Sequence, residues 1–481
     1  MDLQNGSFKN KYKIRSTTIN IDGNIEENEE LIRKIFSTSD IRKKSLIINK
    51  KQAFLFYLTG LVDEQKVDSF VNHISASSDE LEVFMSNNAV RSNKIVDIEK
   101  SILAGKSILF LENEPSAYIF STENLMQRPF SPPTIDNSLK GTKISFVETY
   151  QTNIALLRQY ITTSSFRTDQ TEIGTENKRT VSIAYIDGVV DKELLSEIQK
   201  KISEIKEDSI LNVNQLAQLM ERNPFSPFPQ LLTTERPDEA ASALLKGRVI
   251  LILDRSAEVV VLPSNFLSFF QSIDDYSSRT LVGSFNRILR VVALFITLFL
   301  PGLYIAIISF NYEIVPLKLL ISIGESRTRV PFDPLVEAII MEITLEMLRE
   351  AGIRLPAPIS TTVGVVGGIV IGQAAVQAAI VSNIMVIVVA LTAISSFIIP
   401  NFEMASSLRV IRFPIMVMAS LFGLIGLVVS TMVLIVHGLT LTNFKTSYTV
   451  PFSPLKISQL NDTLFRIPLR FLWNKKNKRN E

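Results

Sequence analysis

Along roughly the first 286 positions, short β-branched and aromatic runs alternate with charged stretches of helical period and with Gly, Asp and Asn turns, the pattern of a soluble α/β region. Beyond Arg290 the pattern changes. Residues 291–311, VVALFITLFLPGLYIAIISFN, carry no charge over 21 positions, enough for the ~20 that a bilayer-crossing helix needs. Pro301-Gly302 would end a soluble helix but is tolerated where neighbouring helices satisfy the freed backbone. Residues 355–402 are uncharged over 48 positions. As one helix they would run ~70 Å, more than twice a ~30 Å hydrocarbon core, so a turn at Ser382-Asn383 and spans near 360–381 and 384–400 are expected. A fourth span, 413–436, is closed by His437-Gly438.

The expected architecture is therefore a soluble α/β region followed by an all-α transmembrane bundle of about four spans plus one interfacial amphipathic helix. Its expected parts are a disordered N-terminal tail (1–29), two α/β subdomains (30–148 and 149–286), the bundle (287–440) and a cytoplasmic C-terminal tail (441–481). The two subdomains are expected to be related, because the order of elements recurs. Ser45 to Leu58 is followed by Gly60-Leu61-Val62-Asp63, and Val181 to Ile186 by Gly188-Val189-Val190-Asp191. LAGKSILFLENEPSAYIF from Leu103 matches LKGRVILILDRSAEVVVL from Leu245, each a Gly turn, strand, acidic turn and strand. The run RPFSP at 128–132 echoes RNPFSP at 222–227. Ala104-Gly105-Lys106-Ser107 is not a phosphate loop, since Lys100 stands where that motif needs glycine and a strand follows instead of a helix; a hairpin turn is expected.

The second span, ISTTVGVVGGIVIGQAAVQAAIV, is unusual for a helix that faces lipid. Gly364, Gly368 and Gly372 make a bare stripe for helix packing. Thr362, Val366, Val370, Gln373 and Gln377 make a second stripe roughly opposite, apolar at one end and polar at the other. Two glutamines do not face lipid without cost, so the stripe either lines a water path in a ring of subunits or hydrogen-bonds within one bundle. Ahead of it, Asp333-Pro334 starts a helix with an apolar side (Ile339, Ile340, Ile343, Met347) and a charged side (Glu342, Glu346, Arg349, Glu350). That helix is expected at the membrane interface, against lipid, as an acidic vestibule or as a plain amphipathic helix with internal Glu–Arg pairs. Arg409 and Arg412 are expected to anchor span ends, and Asp274 and Asp275 to touch the soluble lobes.

Composition narrows the chemistry. The chain has 481 residues, no cysteine, two histidines (His73 and His437), and 50 basic against 48 acidic side chains. Disulfides, thiolate metal sites and cysteine nucleophiles are excluded, a charge near zero argues against nucleic acid, and no cofactor is indicated. No acid, base and nucleophile converge in the sequence, so an enzyme is not expected. MDLQNGSFKNKYKIRS has no apolar export core. Arg279, Arg287 and Arg290 precede the first span, and Lys475, Lys476, Lys478 and Arg479 close the chain, placing both termini in the cytoplasm. Four spans satisfy that parity; Lys318, Arg327, Arg329, Arg349 and Arg354 between the first two spans are the contrary signal.

Several blocks together resemble the A-subunit family of spore germinant receptors, the GerA type. They are PFPQLLTTERPDEAASALLKGRVILILDRS from Pro227, Pro263-Ser264-Asn265-Phe266, Asp274-Asp275-Tyr276, Leu300-Pro301-Gly302-Leu303-Tyr304, Arg349 to Pro356 (REAGIRLP) and Arg409-Val410-Ile411-Arg412-Phe413. The resemblance implies a subunit of the spore inner membrane that works with a transporter-like B-subunit and a lipoprotein C-subunit and responds to nutrients. It also implies a homo-oligomeric, pentameric ring that opens as a cation channel, lined by the second span at Thr362, Val363 and Val366. In that setting Arg354 is expected to act in assembly or gating. Where relatives carry Pro-Tyr after the last span, this chain carries Ser447-Tyr448.

Overall fold

The structure, a computed structural model, describes residues 20–76, 85, 88–124, 133, 142–455, 463 and 465–468; the side chains of residues 357, 358, 361–363, 365 and 366 fall outside the description. Two compact bodies divide these residues. One holds 20–222 and Leu231–Ser264, the other Asn223–Gln230 and Asn265–Pro468. The RPFSP run at 128–132 lies outside the described residues.

The first body contains two lobes. In chain order the first has α1 (Ile25–Ile35), β1 (Ile41–Ile48), β2 (Lys51–Leu58), α2 (Glu64–Ala76), β3 (Ala89–Ser92), α3 (Ile95–Leu103), β4 (Ser107–Leu111) and β5 (Ala117–Phe120). The second has α4 (Tyr150–Tyr160), β6 (Phe166–Ile173), β7 (Arg179–Ile186), α5 (Lys192–Ser203), α6 (Val213–Met220), β8 (Leu232–Thr234), α7 (Pro237–Leu245), β9 (Val249–Leu253) and β10 (Val259–Leu262). The sheets run β1-β2-β4-β5-β3 and β6-β7-β9-β10-β8, the same antiparallel order twice. Central strands β4 and β9 are buried at every position, which explains their unbroken apolar runs SILFL and VILIL.

The repeat extends to single atoms. Gly105 and Gly247 each have φ +84, and a Cβ there would meet the Leu61 carbonyl oxygen at 2.6 Å and the Val189 carbonyl oxygen at 2.8 Å. Leu61 and Val189 are themselves matched residues of the echoed turns. Only glycine allows that approach in that conformation. Ala104-Gly105-Lys106-Ser107 therefore joins a helix, α3, to strand β4; the expected hairpin turn is corrected to a helix-to-strand turn.

The lobes are clasped by one buried ion pair. Arg158 on α4 donates from Nε to Asp40 Oδ2 at 2.6 Å and from Nη2 to Oδ1 at 2.8 Å, and its guanidinium lies 4.9 Å from the Phe166 ring centre. The Thr168 hydroxyl adds a hydrogen bond to Asp40 at 3.2 Å, and the Ser39 amide donates to the Thr168 carbonyl. Burial alone would raise the Asp40 carboxyl, but the charge and hydrogen bonds of Arg158 outweigh it and hold the group below the usual carboxylate range.

The second body is helical. After a 3₁₀ turn (Phe266–Phe270) come α8 (Asp274–Ser277), α9 (Thr280–Ser309), α10 (Leu317–Arg327), α11 (Pro334–Arg354), α12 (Ala357–Gln377), α13 (Asn383–Ile398) and α14 (Phe402–Thr440), closed by the small hairpin β11 (Thr442–Asn443) and β12 (Thr446–Ser447). Among the described residues α9 and α14 are long and apolar enough to cross a membrane, with 30 and 39 residues and mean hydropathy 2.6 and 2.5. Helix α13, at 16 residues, is apolar but shorter. The expected turn at Ser382-Asn383 is a helix cap: Ser382 Oγ accepts the Met385 amide at 3.2 Å and starts α13.

As one straight rod, α14 would be ~58 Å long at 1.5 Å per residue, nearly twice the hydrocarbon thickness. It does not run straight. Gly423 has φ +61 and ψ −139, non-helical values inside the element, and a Cβ on it would sit 2.9 Å from Phe310 Cβ. Gly302 of α9 faces both Ile415 and Leu427, which a straight helix would hold far apart.

Two tests follow from this architecture. Asp40→Asn should cost about 3–5 kcal/mol, because Arg158 is left charged and buried, measured as thermal unfolding of the full-length protein in detergent at neutral pH. A depressed carboxyl stabilises above its unfolded pKa of about 4 and ceases to do so as pH falls through its folded value. The gap between native protein and variant should thus narrow on acidification, and a pH-independent gap would refute the assignment. Gly423→Ala should cost at least ~1–2 kcal/mol from the backbone alone, with Phe310→Ala relieving the steric part but not the backbone part.

Candidate functional site

Helix α11 was expected at the interface, as an acidic vestibule or with internal Glu–Arg pairs. The structure buries its charged side. Ile343 and Met347 are exposed, the latter at 60%, whereas the Glu342 side chain is 1% exposed and Glu337 is fully buried. The physical reason lies on α14. Arg412 Nη2 is 2.8 Å from Glu342 Oε2 and 3.8 Å from Glu346 Oε1, and Arg409 Nε is 3.0 Å from Glu346 Oε1. The charged side of α11 is thus the buried one, and its apolar Ile343 and Met347 lie on the outside. The Glu–Arg pairs of α11 therefore run mainly between helices, and Arg409 and Arg412 are internal partners instead of span-end anchors.

Other charges in this body behave the same way. Glu337 faces Arg327 of α10 at 3.5 Å and accepts the Ser382 amide at the start of α13. Arg349 lies 5.9 Å from the Phe397 ring centre and 5.3 Å from that of Phe402, within cation–π range. Arg354 pairs with Glu350 one turn away at 2.6 Å, at the exposed end of α11. Asp275, expected against the soluble lobes, instead meets Arg287 at 3.1 Å and Arg290 at 2.7 Å, both on α9. Two of the arginines counted as topological signals are thus buried in an ion cluster. Glu337 went unassigned in the sequence, and Asp275 was assigned to a different partner. The available signal was an ionisable residue next to long uncharged stretches, which in an apolar setting must find a partner.

Helix α12 packs along α11, and the glycine that makes the close contact is Gly367, where a Cβ would lie 2.9 Å from Leu348 Cδ2. Gly364 and Gly368 face open space within the chain, and Gly372 is in ordinary contact distance of Val386 at 3.9 Å. On the other stripe Val370 is 55% exposed, and Gln373 and Gln377 are exposed as well. The side chains of Thr362, Val363 and Val366 lie outside the described residues. One chain therefore leaves both described stripes of this helix largely uncovered.

The departure at Ser447-Tyr448 does not loosen the C-terminal segment. Tyr448 is buried, its hydroxyl donates to the Pro229 carbonyl at 2.8 Å, and its own carbonyl accepts the Phe266 amide. Arg466 donates to the Tyr276 carbonyl at 3.0 Å and to that of Ser278. Residues 441–455 and 465–468 of the expected tail thus belong to the helical body.

A duplicated α/β lobe followed by helices with inward charges and outward apolar side chains, two of them long and apolar enough to cross a membrane, defines a class of membrane-associated protein with a large α/β portion. Residues 29–479 match the family described as Bacillus/Clostridium GerA spore germination protein. The chain belongs to that family. It is 36% identical over 458 residues to Spore germination protein B1 of Bacillus subtilis, covering 93% of each chain. It is 38% identical over 415 residues to Uncharacterized membrane protein YfkQ of the same species, covering 86% of this chain and 79% of the relative. It is 34% identical over 461 residues to Spore germination protein GerQA of Bacillus cereus, covering 94% of this chain and 92% of the relative.

The seam between α11 and α14 yields a direct test. Arg412→Ala leaves the Glu342 carboxylate buried without its cation and should cost about 3–5 kcal/mol. Adding Glu342→Gln to Arg412→Met should recover most of the loss, because the unpaired charge is gone. Thermal unfolding in detergent reads both, and equal losses for the single and double variants would count against the pairing.

Proposed function

We propose that this chain is the membrane subunit of a nutrient-responsive spore germination receptor, assembled with copies of itself, as a pentamer, into a ring in which α12 lines a gated cation path. In this reading the chain crosses the spore inner membrane four times, with both termini in the cytoplasm. It works beside a transporter-like B-subunit and a lipoprotein C-subunit. The observation that carries the reading is the uncovered state of α12. Helix α12 meets α11 along one side but leaves two exposed glutamines and two open glycines uncovered among its described residues, so other copies and enclosed water are the natural cover.

Family membership supports the germination role, and the names of the relatives agree with it. The paired state of Glu342 and Glu346 argues against an acidic vestibule, since arginines already neutralise both carboxylates. Cation preference would then rest on the uncharged lining: an apolar constriction at Thr362, Val363, Val366 and Val370 that gates by dewetting, and a polar mouth at Gln373 and Gln377. Arg354, exposed at the end of α11 and held only by a pair of small energetic value, is available for contacts with another subunit.

Purified full-length protein in potassium- and sodium-loaded liposomes tests this. Val366→Ala or Val370→Ala should raise basal cation leak several-fold over the native chain by thinning the dewetted segment, and Gln373→Leu should reduce it. No flux from any variant, with the oligomer intact by mass measurement, would favour the alternative of a non-conducting scaffold that relays a signal through its soluble lobes.

A further inference from the structure

The run RNPFSPFPQ has no part in the mechanism above, yet residues Asn223–Gln230 fold with the helical body although they lie between strands of the first body in sequence. The loop is fixed from several sides. Pro224, Pro227 and Pro229 set its backbone φ angles, and Gln230 Nε2 donates back to the Asn223 carbonyl at 2.7 Å. Ser226 Oγ lies 3.0 Å from His437 Nε2, at the end of α14. Phe228 stacks on the His437 ring at 6.0 Å and meets Phe266 edge-on. Asn443 Nδ2 donates to the Gln230 carbonyl at 2.5 Å.

On this stiff support Phe225 stands out: it is 99% exposed. An open cleft of about 430 Å³ lies beside it, lined by Asn223, Pro224, Phe225, Ser226, His437, Thr440 and Leu441. The apolar surface of α14 reaches the same place. Val433, Val436 and Leu439, just before the cleft, are 60%, 59% and 46% exposed, the state of residues facing acyl chains. The cleft therefore continues an exposed apolar surface at the end of a helix long and apolar enough to span a bilayer, and aromatic side chains collect at that depth in membrane proteins.

We infer that the 223–230 loop is a membrane-interface wedge: Phe225 inserts at the boundary between acyl chains and headgroups of the bilayer that α14 crosses. The prolines and the Gln230 closure hold the aromatic ring outward before lipid arrives, so little ordering is needed on insertion. The inference needs α14 in a membrane but no pore.

The chain has a single tryptophan, Trp473, and no cysteine, which allows clean labelling. Phe225→Trp in a Trp473→Phe background, full length in nanodiscs, should show quenching by phosphatidylcholine brominated near the headgroup and resistance to aqueous acrylamide. Val433→Trp provides the acyl-chain reference. Quenching by acrylamide without quenching by bromolipid, or resistance to both, would overturn the proposal, the second result indicating cover by protein. Should the tryptophan variant fail to fold, a nitroxide on Phe225→Cys gives the same decision: greater accessibility to oxygen than to a water-soluble nickel chelate supports insertion, and the reverse refutes it.

Discussion

A carboxylate buried among apolar side chains needs a cation at contact distance, and the helical body of this protein is organised by that requirement. Glu342 and Glu346 on α11 take Arg412 and Arg409 from α14; Glu337 takes Arg327 and caps the approach to α13; Asp275 takes two arginines from α9. The Glu342–Arg412 and Glu346–Arg409 pairs tie together segments distant in sequence. Desolvation makes such pairs weak sources of net stability and severe penalties for wrong packing, so their value here is registry: the arginines fix which face of α14 meets α11. The apolar residues of α11 are then turned outward, and α12, which follows immediately, is presented with most of its surface free.

The soluble portion rests on a different principle, duplication. One antiparallel strand order serves both lobes, with the same left-handed glycine approached by a carbonyl at the same turn in each. Arg158 and Asp40 then join one copy to the other, with Thr168 completing the hydrogen bonding. This small group of polar contacts, with Ser39 bonded to Thr168 beside it, specifies how the copies dock.

Much of this could be read from the residues. The strand echoes around Gly60 and Gly188, and around Gly105 and Gly247, carried the repeat, because turn glycines and strand periodicity are local properties. The apolar runs located α9, α12, α13 and α14, though the break at Gly423 inside α14 was not visible, since glycine in an apolar helix is common and its φ depends on Phe310 beside it. The partners of α11 were not legible for a physical reason: the sequence shows amphipathicity but not which side is buried against another helix. Pairing partners such as Glu342–Arg412 are long-range and leave only the hint that arginines three apart on one helix match glutamates four apart on another.

The joint at Gly423 changes what the C-terminal segment can transmit. A continuous rod would carry any displacement of its far end, near His437 and Tyr448, straight to the arginines at its near end. Two shorter rods sharing a pivot do so only while Phe310 and Asn311, the groups against Gly423, keep the hinge from swinging. Those two side chains, at the end of α9, therefore decide whether α14 behaves as one lever or two.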